Sequence, residues 1–158
     1  MSSIDEVTGK IKNFKKRKYN LNGLTRFRDN DILYARITPC TENGKIAIVE
    51  GLKTETGIGS TEFIILSPKR INSKWLYFWL KNPNIKEQAI KSMKGTTGRQ
   101  RVSKDFFEKL DIPDIALDEQ FRTSKELESY IITKENLIKI ISLSLESISR
   151  TINRLYEK

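Results

Sequence analysis

The sequence predicts an α/β (α+β) fold: a small mixed sheet with flanking helices, followed by a long C-terminal coiled-coil helix. Three short runs rich in β-branched residues have the composition of strands: residues 32–37, 46–49 and 63–66. The C-terminal part instead carries an apolar heptad repeat without Gly or Pro. We therefore divide the chain into a globular part, residues 1–117, and a helix, residues 118–158.

The connections between the predicted strands have a distinctive polar chemistry. Residues 39–44 form a turn cluster of Pro, Thr, Asn and Gly. The next connection holds Gly57 and Gly59 followed by Ser60 and Thr61, and we interpret it as a loop. Flexible backbone combined with hydroxyl, amide and cationic side chains suits a surface that approaches a polar partner closely.

A helix is predicted directly after the third strand. Asn72 or Ser73 can cap it, and its large apolar residues fall on one helical face. These residues are Trp75, Leu76, Trp79 and Leu80. The spacing leaves two roles open for the stripe, packing in the core or stacking on nucleic-acid bases.

Two further helices are predicted on either side of a glycine-containing segment. Pro83 breaks the first helix, and residues 84–93 form the second. Ser103 then caps a short third helix over residues 105–110. The segment between them, residues 94–101, is the most chemically specific loop of the chain.

The distribution of charge points to a polyanionic partner. The formal net charge is +9, and the segment after residue 117 contributes none of it, with seven acidic and seven basic residues. Residues 7–28 hold eight cations and residues 88–104 hold five, and neither run contains an acid. A single basic run can be a solvated face, but two runs beside glycine-hydroxyl loops favour a nucleic acid.

The candidate DNA contacts follow from the chemistry of phosphates and base edges. Backbone amides, hydroxyls and lysines bind phosphate oxygens, whereas Arg and Gln can contact guanine and adenine in a bidentate manner. Arg99, Gln100 and Arg101 are therefore the candidates for base contacts; a glycine-rich connector with incidental charge is the alternative. The other candidates for DNA contact are Arg36, Lys45, Ser60, Thr61, Lys94, Thr96 and Thr97.

The heptad repeat predicts a pairing helix. Its apolar positions alternate in spacing between four and three residues, with Lys134 as the single polar intruder. A helix of ~60 Å, at 1.5 Å per residue, is longer than this globular part can cover. We expect the partner helix to come from another chain; a helix folded back on its own domain is the alternative. The expected pairing residues are Leu127, Ile131, Ile138, Ile141, Leu145, Ile148, Ile152 and Leu155.

The residue types argue against an enzyme. The sequence contains no histidine, which removes the usual acid-base pairs and zinc sites. The glycines before Ser60 lack the lysine of a phosphate-binding P-loop. We therefore predict no catalysis, cofactor or metal. The single cysteine, Cys40, and the lack of an apolar run of ~18 residues predict a soluble cytoplasmic protein without a membrane partner.

Five motifs follow one another along the chain. In chain order they are Asp31-Ile-Leu-Tyr-Ala-Arg-Ile-Thr-Pro-Cys40, Glu42-Asn-Gly-Lys45, Gly59-Ser-Thr-Glu-Phe63, Gly95…Gly98-Arg-Gln-Arg-Val102 and Ile112-Pro113…Asp118-Glu-Gln120. Together they resemble the target recognition domain of the specificity subunit of type I restriction-modification systems, and the helix that follows it.

The resemblance implies a function as well as a fold. It implies a subunit that reads double-stranded DNA and positions methyltransferase and restriction subunits without catalysing a reaction itself. Family members usually carry two recognition domains and two long helices, whereas this chain has one helix and at most one domain whose opening part is missing. A half-subunit that forms a homodimer or pairs with another specificity chain is therefore expected, or a truncated remnant. The alternative is an interaction protein that docks on restriction-modification subunits through its helix and reads no DNA.

Overall fold

The computed structural model describes residues 3–6, 8–12, 14 and 23–156. Four cations of the N-terminal basic run, at positions 15–18, lie outside the described residues. The α/β fold class is confirmed. The elements, in chain order, are β1 (Thr25–Phe27), β2 (Ile32–Ala35), β3 (Ile46–Ile48), β4 (Gly57–Gly59), β5 (Phe63–Leu66), α1 (Ser73–Leu80), α2 (Pro83–Lys91), α3 (Lys104–Glu108) and α4 (Leu117–Tyr156).

The central sheet has three strands in the order β3-β2-β5, and both pairings are antiparallel. Tyr34 on β2 is opposite Ile46 on β3 and Ile64 on β5. A mixed sheet was predicted, but parallel neighbours need a long crossover connection that is usually helical. Every helix in the described ranges follows β5, so none is available for such a crossover.

Strand β2 is buried along its whole length and lies between two apolar clusters. Tyr34 packs in the cluster that includes Trp75 and Leu80 of α1. Leu33 packs in the second cluster, which includes Phe27 of β1. Trp75 is 6% exposed, and the partly buried Trp79 packs against the same cluster, so the aromatic stripe of α1 belongs to the core and is not a base-stacking surface. The sheet is thus a rigid base for the loops at its ends.

Strands β1 and β4 pair in a second antiparallel sheet, where the sequence had suggested a loop. The glycines of β4 are explained by packing, because the Phe27 ring lies against them. A β-carbon at Gly57 would be 2.2 Å from Phe27 Cε2, and one at Gly59 would be 3.2 Å from Phe27 Cε1. These glycines leave room for an aromatic ring and do not signal a flexible turn.

Gly57→Ala should destabilise the fold by ~1–3 kcal/mol, because the added methyl group overpacks against the Phe27 ring. The midpoint of chemical denaturation measures this effect. Thr56→Ala, at the exposed neighbouring position, is the control and should leave the midpoint nearly unchanged. An unchanged midpoint for Gly57→Ala would mean that the ring moves aside at no cost.

The helices are close to their predicted positions. Asn72 caps α1, and its side chain accepts a hydrogen bond from the amide of Trp75 at 2.9 Å. Helix α2 begins at Pro83, with Asn82 as its cap. Ser103 precedes α3 but makes no side-chain capping bond. Each helix in the described ranges is too short or too polar to cross a membrane.

Helix α4 is continuous over 40 residues. By contacts the chain divides into two compact units, Met1–Ser124 and Lys125–Lys158. Within the first unit, the buried Gln120 ties the start of α4 to α1. Its amide group donates to the carbonyl of Ile115 at 2.7 Å and accepts from the amide of Asn72 at 2.8 Å.

Candidate nucleic-acid interface

Residues 94–101, which we call the basic loop, form a closed and well-defined excursion. Two backbone hydrogen bonds join Lys94 and Arg101 at its base, at 3.0 and 2.9 Å. Within it, the amide of Arg99 donates to the carbonyl of Thr96 at 2.9 Å. Gly95 has a φ of +128°, and a β-carbon there would be 2.9 Å from the Arg99 carbonyl oxygen. The tight closure of the loop therefore requires glycine at this position.

The basic loop contains six of the ten residues predicted to contact DNA. Arg101 is half-buried, and the other five are exposed: Lys94, Thr96, Thr97, Arg99 and Gln100. Among the described residues, their side chains have no hydrogen-bonding or ion-pair partner. One short segment thus exposes an ammonium group, two hydroxyls, a guanidinium and a carboxamide to solvent. That combination can bind phosphate oxygens and base edges together.

The basic loop is joined to the end of β2. The amide of Thr38 donates to the carbonyl of Gln100 at 3.1 Å, and the amide of Val102 donates to the carbonyl of Arg36 at 2.8 Å. The amide of Arg36 in turn donates to the carbonyl of Glu62 at 2.9 Å. Arg36, a predicted contact residue, therefore lies between the loop and the start of β5.

Ser60 and Thr61 form the turn that leads into β5. The amide of Phe63 donates to the carbonyl of Ser60 at 3.2 Å, and the amide of Glu62 donates to the Ser60 hydroxyl oxygen at 3.1 Å. Because Glu62 contacts Arg101 directly, this turn lies beside the basic loop. Thr61 is exposed and Ser60 is half-buried. Two separate segments predicted to contact DNA thus lie next to each other.

Arg101 was predicted to contact bases, but its guanidinium is engaged within the chain. Its Nε donates to the two carboxylate oxygens of Glu62 at 3.0 and 2.9 Å, and Nη2 donates to Oε1 at 2.7 Å. The remaining nitrogen, Nη1, donates to the backbone carbonyl of Arg99 at 3.0 Å. All three nitrogens of the guanidinium therefore have partners before any ligand arrives.

The electrostatics of this cluster keep Glu62 ionised. Hydrogen bonds from Arg101, together with the positive charges of Arg101 and Arg36, lower the pKa of Glu62 below its ordinary value. The same hydrogen bonds raise the pKa of Arg101. The Nε of Arg36 is buried and has no hydrogen-bond partner among the described residues. The cluster of two arginines and one carboxylate keeps a net positive charge.

Lys45 also has an internal partner. Its Nζ is 3.1 Å from a carboxylate oxygen of Glu6, and its side chain is only 17% exposed. The same carboxylate oxygen accepts a hydrogen bond from the side chain of Asn43 at 3.4 Å. The ion pair of Lys45 and Glu6 therefore connects the N-terminal turn to the loop between β2 and β3.

The heptad seam of α4 is a second candidate surface. Leu127 and Ile131 are half-buried. The other six predicted pairing residues are 46–71% exposed: Ile138, Ile141, Leu145, Ile148, Ile152 and Leu155. An exposed apolar surface of this extent is typical of a protein interaction site.

Sequence reasoning missed Glu62 as a member of the site. It belongs to the Gly59–Phe63 motif but is not one of the residues predicted to contact DNA. Its negative charge is the feature that could have identified it, because this acidic residue directly follows Ser60 and Thr61, among residues predicted to contact a polyanion. A carboxylate placed among such residues points to a partner within the chain.

Comparison with known proteins identifies relatives over most of the chain. The family model described as "Type I restriction modification DNA specificity domain" matches residues 3–146. The specificity subunit of the type I restriction enzyme EcoAI of Escherichia coli is 43% identical over 110 residues, which cover 68% of this chain and 19% of that protein. The EcoEI specificity subunit of the same organism is 38% identical over 102 residues, covering 63% and 17%.

A solved structure supports the fold. A chain from a study of complex assembly and conformational transition of the type I R-M system superposes with a TM-score of 0.71 at 23% identity. The match covers 88% of this chain and 36% of that one. The matched segments thus span less than a fifth of the length of each curated relative and about a third of the solved chain.

Proposed function

The chain belongs to the type I restriction modification DNA specificity family, and from this premise we propose that it binds double-stranded DNA as a sequence-reading part of a type I restriction-modification complex. The observation that carries the proposal is the basic loop. It exposes a cation, hydroxyls, a guanidinium and a carboxamide on a segment whose backbone is closed by hydrogen bonds. Such a preorganised loop is suited to a groove of the duplex.

The exposed residues divide into two roles. Lys94 and the hydroxyls of Thr96 and Thr97 would bind phosphates and supply affinity that does not depend on sequence. Arg99 and Gln100 would contact base edges and supply discrimination. The Ser60–Thr61 turn, which lies beside the loop, would add further phosphate contacts.

The proposed partners follow from the family. The relatives are specificity subunits of restriction enzymes, so we propose that this chain also works beside methyltransferase and restriction subunits, and is itself non-catalytic. Its α4 seam would pair with the helix of a second copy or of another specificity chain. Such a complex would act in the cytoplasm, and the single cysteine is compatible with a reducing compartment.

Binding to duplex DNA should weaken linearly with salt on logarithmic axes, because each neutralised phosphate releases counterions. Lys94→Ala should weaken binding to all sequences alike and reduce the slope of this plot by about 1. Fluorescence anisotropy with labelled duplexes between low and physiological salt provides the measurement.

Lys139→Ala is the charge-matched control, since it removes an exposed lysine from α4 and leaves the basic loop intact. It should keep the slope of the unmutated protein. No measurable binding of the unmutated protein to any duplex at low salt would disprove the proposed function.

A further inference from the structure

The ion pair of Glu62 and Arg101 connects the basic loop to the sheet. On one side, the guanidinium makes three hydrogen bonds to the Glu62 carboxylate. On the other side, it donates to the backbone carbonyl of Arg99, inside the loop. A bidentate Arg–carboxylate pair is directional as well as strong, so it fixes an orientation. One side chain thus connects the residue proposed to contact a base with the start of β5.

We propose that Glu62 is a positioning residue for DNA recognition: through Arg101 it fixes the loop backbone from which Arg99 and Gln100 reach the bases, and Arg101 itself makes no base contact. This inference rests on the proposed function of the basic loop. It reassigns Arg101 from a contact with DNA to a support for the residues that make such contacts.

Glu62 is itself well anchored for this role. Its amide donates to the Ser60 hydroxyl oxygen at 3.1 Å, and its carbonyl accepts from the amide of Arg36 at 2.9 Å. The next residue, Phe63, is the first residue of β5 and is buried. The carboxylate is therefore held by the sheet, and its side chain is only 25% exposed.

A base contact by Arg101 would work against the rest of the site. Bidentate recognition of guanine needs two donors of the guanidinium, and these donors already bind Glu62. If Arg101 turned to DNA, the ionised Glu62 would be left without its strongest partner near the phosphates. The negative charges of the Glu62 carboxylate and of the phosphates would then repel each other, so the observed pairing of Glu62 with Arg101 is the favourable state.

The first test uses the whole chain of 158 residues without DNA. Glu62→Gln should speed hydrogen exchange of the Arg99 and Arg101 amides by about tenfold, because the loop hydrogen bonds open more often. The amide of Leu33 in the core sheet should exchange as before. Glu55→Gln removes the same charge from an exposed ion pair with Arg28 at 4.0 Å and should change neither rate. Unchanged loop exchange in Glu62→Gln would overturn the inference.

The second test is a double-mutant cycle in which the measured quantity is the ratio of affinities for two DNA duplexes. A preferred duplex is first selected from a random pool with the unmutated protein. Discrimination against a duplex changed at one base pair should then fall by about tenfold in Glu62→Gln, in Arg101→Gln and in the double variant alike. Equal losses mean that the two residues act as one unit. A larger loss for Arg101→Gln, with additive losses in the double variant, would show a direct base contact and overturn the inference.

The two tests fail in different ways. If the unmutated protein bound no duplex, the proposed function would be disproved, and the recognition role of Glu62 with it. If DNA bound with discrimination but Glu62→Gln altered neither exchange nor discrimination, this inference alone would be overturned.

Discussion

Arg99→Ala is expected to reduce discrimination between the preferred duplex and a duplex changed at one base pair by ~1–3 kcal/mol, which is roughly 5- to 150-fold. The reason is the position of Arg99: it is exposed on the closed basic loop, and its guanidinium is unpaired among the described residues. The carbonyl of Arg99 accepts a hydrogen bond from Arg101, so little backbone entropy is lost when the side chain contacts a base.

Competition between labelled and unlabelled duplexes measures this discrimination. Lys94→Ala is the matched control, because it removes one exposed cation from the same loop. We expect it to lower affinity for both duplexes equally and to leave their ratio unchanged. Gln100→Ala should resemble Arg99→Ala and change the preference at a different base pair. If Arg99→Ala weakened both duplexes to the same extent, Arg99 would be a phosphate contact and not a base contact.

The strands and helices that could be predicted from the sequence are those whose secondary structure depends on their own residues and not on contacts with distant ones. Strand β2 has a β-branched and aromatic composition that fits a buried strand, and Asn72 has the side chain that a helix N-terminus requires. The heptad repeat likewise predicted α4 without knowledge of its surroundings. Strand β4 could not be predicted, because Gly57 and Gly59 are selected by the Phe27 ring of another strand.

The same distinction applies to the candidate site. The exposure of Lys94, Thr96 and Arg99 follows from a local feature, a short polar loop between two helices. The internal pairing of Arg101 and Lys45 depends on carboxylates that are distant in sequence; Glu62 is 39 positions from Arg101. A count of charges along the sequence cannot distinguish Arg101 and Lys45 from the exposed cations. Only the folded chain separates the cations that have a carboxylate partner from the exposed cations that have none among the described residues.

Ile141→Glu together with Ile148→Glu is expected to dissociate the proposed helix-paired assembly. In the unmutated protein these residues are 59% and 55% exposed. Covering an aliphatic side chain of this size contributes ~1.5–3 kcal/mol, and an unpaired carboxylate in the seam adds a further cost. The double variant should therefore raise the dissociation constant of the paired helices more than about a hundredfold. Sedimentation velocity or light scattering over a concentration series measures the change.

The control adds the same two charges elsewhere on the helix. Asn136→Glu with Asn153→Glu alters exposed positions outside the seam and should leave the assembly intact. The fold of the first unit should survive both double variants, since α1 and the start of α4 are tied by Gln120, which neither variant touches.

Lys134 falls in the seam itself, and a single polar residue there commonly fixes register at some expense of stability. Lys134→Leu should consequently tighten the assembly. If the unmutated protein remained monomeric at about tens of micromolar, the seam would not be a pairing surface between copies of this chain.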